Sequence, residues 1–171
     1  HHIHHMAAKA VTFAEALEFG SDYAAQTVKN AKALAVALSD SGFKVLGEKK
    51  GFTQSHQAVV NVLDYGDGGK IEADLEKANI IVNRQLIPGD IKAKRHYMHP
   101  GGIRLGTSEV TRLGMKESEM QQIASFVKQI VIDGKDAKGI VDQVTDFRKN
   151  YQKTQYCFDN KLGAYEYVKL R

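Results

Sequence analysis

The sequence predicts an α/β chain of the two-layer α+β kind, a small mixed sheet with helices packed on one face. Apolar residues recur at helical spacing near both ends of the chain: Ala24, Val28, Ala31, Ala35 and Leu38, then Met120, Ile123, Val127, Ile130 and Val131, then Ile140, Val144, Phe147 and Tyr151. Short β-branched runs bounded by Gly, Pro and Asp fill the middle. The resulting order is helix, helix, strand, strand, helix, strand, strand, helix, helix, which suits a sheet covered by helices on one side. With 171 residues, 43% hydrophobic and 26% charged, the chain has the balance of one globular domain rather than a disordered one.

Residues 7–38 are helix-rich. Gly20-Ser21 interrupts them, so the pattern predicts one helix to about Phe19 and a second with Ser21 as its N-cap. Asp40-Ser41-Gly42 ends the run, with Gly42 suited to the left-handed position after a helix. Phe43-Lys44-Val45-Leu46 reads as a short strand and residues 57–63 as a stronger one. Gly66-Asp67-Gly68-Gly69 marks a turn, residues 71–78 a helix, and Asn79-Ile80-Ile81-Val82-Asn83 a strand. Residues 88–102 lack periodicity, hold both prolines (Pro88 and Pro100) and carry the basic cluster Lys92, Lys94, Arg95 and His96. A loop of that length is a place to look for function. Ile103-Arg104-Leu105-Gly106 returns to a strand. The tail from Thr154 is aromatic (Tyr156, Phe158, Tyr165, Tyr167) and aperiodic.

The net charge of +4 is mild and does not demand a nucleic-acid partner. No apolar stretch reaches the roughly 18–20 residues that span a bilayer, so no membrane partner is expected. The single cysteine, Cys157, cannot close an intrachain disulfide, which fits a reducing, cytoplasmic compartment. With no histidine beside it in sequence, it reads as a structural thiol rather than a nucleophile. His1-His2-Ile3-His4-His5-Met6 reads as an affinity tag or a native segment. Imidazoles also ligate zinc, copper and nickel, but terminal clusters rarely do so natively, and no metal site is expected. His96 and His99 fit a solvated loop better than a metal pair, and His56 precedes a strand without further signal.

Gly101-Gly102-Ile103-Arg104-Leu105-Gly106-Thr107 carries more chemistry. The glycines suit tight turns or close approach of the backbone to a partner. An arginine fixed on a strand between them has a planar fork that binds a carboxylate through two hydrogen bonds. That carboxylate is either a neighbour within the domain or an external ligand. The segment is not a phosphate loop, since Gly-x-x-x-x-Gly-Lys-Ser/Thr is absent.

Gly102-Ile103-Arg104-Leu105-Gly106-Thr107, followed by Val110-Thr111-Arg112 and Gly114-Met115-Lys116-Glu117, resembles the C-terminal part of serine hydroxymethyltransferase. Ala78-Asn79-Ile80-Ile81-Val82-Asn83, with Pro88 and Asp90 after it, resembles a second signature of that family. Asn30-Ala31-Lys32-Ala33-Leu34-Ala35, leading to Gly42, resembles a third. His4-His5-Met6-Ala7-Ala8-Lys9-Ala10-Val11 is similar to the family segment that enters the small domain, which favours a native origin for the histidines. The pattern Glu109-Val110-Thr111-Arg112-Leu113-Gly114 is closest to archaeal members.

The resemblance implies the C-terminal domain of a fold-type I pyridoxal-phosphate enzyme, with a connecting helical segment over 1–38 and the small domain over 39–171. The parent would interconvert serine and glycine and pass a one-carbon unit to a tetrahydropterin, using pyridoxal 5'-phosphate as electron sink. Arg104 falls on the family's arginine for the amino-acid carboxylate. Gln85 falls where many bacterial members have an asparagine that contacts folate, a departure that suits a modified pterin in place of tetrahydrofolate. The Schiff-base lysine of the family lies in a threonine-rich motif that this chain does not contain. The expectation is therefore a fragment with no catalytic or cofactor-binding residue of its own, inactive alone. Its partners would be an N-terminal large domain and, in the parent, a second subunit of a homodimer. A competing expectation from another class is a non-catalytic module whose Lys92, Lys94 and Arg95 bind RNA or another anionic partner; salt dependence separates the two.

Overall fold

The computed structural model describes residues 2–161, 163 and 164. His1, Tyr165 and Tyr167 lie outside the described residues. Helix α1 (Ile3–Asp40) is followed by β1 (Lys44–Val45), a 3-10 turn (Glu48–Lys50), β2 (Gln57–Asn61), α2 (Gly68–Glu76), β3 (Asn83–Gln85), β4 (Gly102–Gly106), α3 (Ser108–Arg112), α4 (Glu117–Val131) and α5 (Ala137–Lys149). None of the described helices is long and apolar enough to cross a membrane.

α1 is a single helix of 38 residues and does not break at Gly20-Ser21. A glycine inside a helix costs only about 1 kcal/mol, and anchors on both sides of it hold the helix to one surface. Before it, Glu15 pairs with Arg112 at 2.8 Å. After it, the Tyr23 hydroxyl donates to the Ser108 carbonyl at 3.0 Å. The helix ends as its sequence predicts. Gly42 has φ +99°, and the Phe43 N–H returns to the Leu38 carbonyl at 3.1 Å.

The sheet has four strands in the order β1-β2-β4-β3. Its pairings are antiparallel throughout among the described residues, where the sequence suggested a mixed sheet. β2 and β3, joined through α2, do run in the same direction. β4 enters between them, so these two parallel strands never become neighbours.

β3 is shorter and later than the 79–83 strand expected. Asn79 takes a left-handed conformation (φ +58°), and the Ile80 N–H bonds to the Leu75 carbonyl at 3.1 Å. These residues close α2 and are spent before the sheet begins. α2 itself starts earlier than expected, at Gly68, because Asp67 caps it by accepting from the Lys70 N–H at 2.9 Å. Gly68 is there for close approach: a Cβ on it would lie 2.1 Å from the Gly102 carbonyl oxygen.

One face of the sheet is buried. Ala58, Val60, Ile103 and Leu105 meet Leu34 and Leu38 of α1, Ile71 and Leu75 of α2, and Met120 and Val127 of α4 in one core. α5 closes the far side of α4, with the Phe126 and Phe147 rings 5.7 Å apart. Helices thus cover one face, and the other carries the alternate residues of each strand.

Candidate functional site

Alternation along β4 sends Ile103 and Leu105 into the core and Arg104 to the opposite, open face. Register then fixes its neighbours. Arg104 stands opposite Val59 of β2 on one side and Asn83 of β3 on the other. Gln85, two residues beyond Asn83, pairs with Gly102 and so shares this face as a diagonal neighbour of Arg104. The two residues singled out from the sequence, Arg104 and Gln85, are therefore brought together by the pairing of β3 with β4.

Arg104 is half-buried, and its Nη2 donates to the Asn83 Oδ1 at 3.4 Å. Among the described residues no carboxylate lies within ion-pair distance of it. Arg84, Arg95 and Arg112, by contrast, are engaged with Glu72, Asp90 and Glu15. An ordinary salt bridge within the domain, one of the two readings open from sequence, is thus not what Arg104 makes among the described residues. Gly102 and Gly106, on the same face along β4, place no side chain beside the guanidinium. Gln85 donates from Nε2 to the neighbouring Leu86 carbonyl at 3.0 Å and keeps its other amide capacity.

The loop between β3 and β4 is rooted on Asp90, only 2% exposed, whose Oδ2 accepts from the Gly101 N–H at 2.7 Å and the Ile87 N–H at 3.0 Å. Of the loop's basic cluster, Arg95 turns toward this carboxylate, with Nε 3.5 Å from Oδ1. His99 pairs with Asp67 at 3.1 Å, His96 accepts from the Met98 N–H at 3.3 Å, and Lys92 and Lys94 are exposed. The Lys70 N–H, and behind it His99, hold the Asp67 carboxyl below the usual carboxylate range.

The remaining candidates do not join this site. The Cys157 Sγ lies 3.4 Å from both the Thr154 and the Asp159 carbonyl oxygens. The His56 carbonyl accepts from the Thr107 N–H at 2.9 Å, a structural contact at the end of β4. His2, His4 and His5 pack ring on ring at 4.2–5.7 Å on the exposed first turns of α1. Among the described residues no group of three or more His, Cys, Asp or Glu side chains could hold a metal ion.

Sequence reasoning assigns no role to Asn83 or Asp90. Asn83 stands at the end of the strand expected at 79–83, so its shared face with Gln85 emerges only with β3 at Asn83–Gln85. The burial of Asp90 was not legible either, since it depends on Gly101 from the other end of the loop.

Comparison with known proteins agrees with this architecture. A family model described as serine hydroxymethyltransferase matches residues 1–127. A curated relative of that name from Nitrosopumilus maritimus is 77% identical over 171 residues, which is all of this chain and 39% of the relative. One from Cenarchaeum symbiosum is 71% identical with the same coverage, and one from Thermococcus onnurineus is 50% identical over 97% of this chain and 39% of its own length. The chain thus spans 39% of the length of these relatives. Among solved structures, L-threonine transaldolase from Pseudomonas fluorescens in its internal aldimine state superposes with a TM-score of 0.76 at 35% identity, over 89% of this chain and 34% of that one. The fold is that of a domain of the fold-type I pyridoxal-phosphate enzymes, as the resemblance implied. Within that class, the chain belongs to the serine hydroxymethyltransferase family.

Proposed function

We propose that this chain supplies the substrate-facing sheet surface of a serine hydroxymethyltransferase, which interconverts serine and glycine and transfers a one-carbon unit to a tetrahydropterin. Arg104 holds the amino-acid carboxylate through its two-pronged guanidinium. Gln85, beside it on the same face, contacts the pterin. The observation that carries the reading is Arg104 itself: a half-buried guanidinium on an open face, with one long bond to Asn83 and no carboxylate partner among the described residues.

The residues present do not fit the family's cofactor, pyridoxal 5'-phosphate. Lys128, the most covered of the described lysines, is bound to Asp133 at 2.6 Å, and the others are exposed. An imine-forming lysine needs a site that disfavours its ammonium form. The cofactor and its lysine therefore belong to the large domain of the parent, which works as a homodimer in the cytoplasm, and the chain alone is inactive.

Calorimetric titration of the full-length protein with serine tests the carboxylate role. Arg104→Ala is expected to lose serine binding while its visible absorbance shows the cofactor retained. Serine affinity at the wild-type level would overturn the assignment.

A further inference from the structure

β3 is an edge strand of three residues, paired with β4 through Asn83, Arg84 and Gln85 only. So short a ladder does not secure its own register, yet this strand carries both Gln85 and the Asn83 amide that meets Arg104. Its middle residue is held from α2, where Glu72 Oε1 accepts the Arg84 N–H at 3.2 Å, and a second anchor lies at its end. The chain leaves β3 at Leu86, runs through an exposed loop at residues 91–99, and returns at Gly101. At the root of that loop one buried carboxylate oxygen, Asp90 Oδ2, takes the N–H of Ile87, two residues after β3, and the N–H of Gly101, one residue before β4. The 2.7 Å length of the Gly101 bond is that of a charge-assisted contact. Packing is tight around the clasp. A Cβ on Gly101 would lie 2.7 Å from Asp90 Oδ1 and 2.9 Å from Ile87 Cδ1, and one on Gly102 would lie 2.4 Å from Ile87 Cγ2.

We propose that Asp90 is a positioning residue: by clasping Ile87 to Gly101 it holds β3 in register against β4, and so aligns Asn83 and Gln85 with Arg104. Asp90 itself touches no substrate in this account. The proposal rests on the reading that Arg104 binds the amino-acid carboxylate and Gln85 the pterin. Both bonds of the clasp end on one oxygen, so an acceptor at that position keeps both of them, weaker where it carries no charge. Asparagine provides that acceptor in its side-chain carbonyl, and alanine provides nothing.

The test uses the full-length, cofactor-loaded protein with Asp90→Ala, Asp90→Asn and Gly101→Ala. Gly101→Ala forces the clasp apart from its other side, and it stands in if Asp90→Ala does not fold. KM for serine, KM for tetrahydropterin, kcat, cofactor content and amide exchange at Ile87 and Gly101 are measured. Asp90→Ala and Gly101→Ala are expected to raise both KM values roughly 10- to 100-fold, as displacements remote from the reacting atoms do. Cofactor content should hold, and both amides should lose protection. Asp90→Asn should restore protection and return both KM values to within a few-fold of wild type. Wild-type KM values beside unprotected amides would overturn the proposal. So would an Asp90→Asn protein that keeps its amides protected yet is as impaired as Asp90→Ala. Arg104→Ala, run in parallel, separates the two claims. If it binds serine normally, the reading of the site fails. If it is impaired while Asp90→Ala and Gly101→Ala are not, the clasp alone fails.

Discussion

Asn83 and Arg104 face each other across the β3–β4 ladder, and the guanidinium Nη2 reaches the amide Oδ1 at 3.4 Å. That length is beyond the usual range for N–H···O bonds, so the amide steers the arginine without occupying it. Among the described residues the fork makes no contact with a carboxylate.

Arg104→Lys in the full-length protein is expected to bind serine far more weakly than wild type. An ammonium keeps the charge but cannot make two parallel bonds. Asn83→Ala should be milder, below the roughly 1 kcal/mol of an ordinary hydrogen bond, because its contact is longer than one. Isothermal titration of both variants gives the ranking. A lysine variant at wild-type affinity would show that charge suffices and that the planar fork is not in use.

In the proposed function Gln85 contacts the pterin and Arg104 the amino acid, so their substitutions should separate. Gln85→Asn shortens the side chain by one methylene, which would free its amide from the Leu86 carbonyl and change its reach. The expected outcome is a several-fold change in KM for the tetrahydropterin with KM for serine unaltered. Steady-state kinetics with tetrahydrofolate and with a modified tetrahydropterin check it. A change confined to serine would move Gln85 out of the pterin subsite.

How much of this was legible from residues alone depends on how local each signal is. The open-face position of Arg104 follows from Ile103 and Leu105 on either side of it, and the end of α1 follows from Gly42. Both are signals of a few adjacent residues. The continuity of α1 through Gly20 was not legible, because its causes are the contacts of Glu15 with Arg112 and of Tyr23 with Ser108, far away in sequence. The β-branched run at residues 80–82 resembles a strand until Asn79 closes α2 through Ile80. Asp90 belongs to the family signature after Pro88-Gly89, but no adjacent residue shows that its carboxylate is buried against Gly101. That no carboxylate reaches Arg104 among the described residues could not be read either, since a strand arginine carries no sign of whether a carboxylate of its own domain will reach it.

Acid should weaken the seat of the β3–β4 loop through Asp67. The Lys70 N–H, and then His99, favour the ionised carboxyl in the folded state and lower its pKa, as the side chains of Lys70 and then Lys77 do for Asp74. A group whose pKa falls on folding stabilises the native state above its unfolded-state value. That contribution is lost as pH drops below the ordinary carboxylate range of about 4, through the lower folded value. Thermal unfolding between pH 6 and pH 3 should show stability falling at the acid end. Asp67→Asn keeps a good N-cap but cannot titrate, so its acid limb should be shallower. Equal slopes for the two proteins would remove Asp67 from the account.

The amino-terminal half of α1 is expected to drive self-association when the chain is studied alone. Ile3, Met6, Phe13 and Leu17 are 82%, 64%, 66% and 90% exposed. With Ala10 between Met6 and Phe13, their spacing alternates three and four residues, which is the seam of a two-stranded helical pair. Val11, 55% exposed, widens the stripe. These side chains do not fold back onto the domain, whose cover of α1 begins in earnest at Thr27. Contiguous apolar surface of this kind is rare on a monomer, and a second copy of the same helix is a matching partner for it. Light scattering over a concentration series should therefore report a mass that rises above 18.9 kDa. Phe13→Glu combined with Leu17→Glu places like charges on the seam and should return the chain to monomer with its fold unchanged by circular dichroism. A monodisperse wild-type monomer at high concentration, or association that survives the double substitution, would place the driving surface elsewhere than on α1.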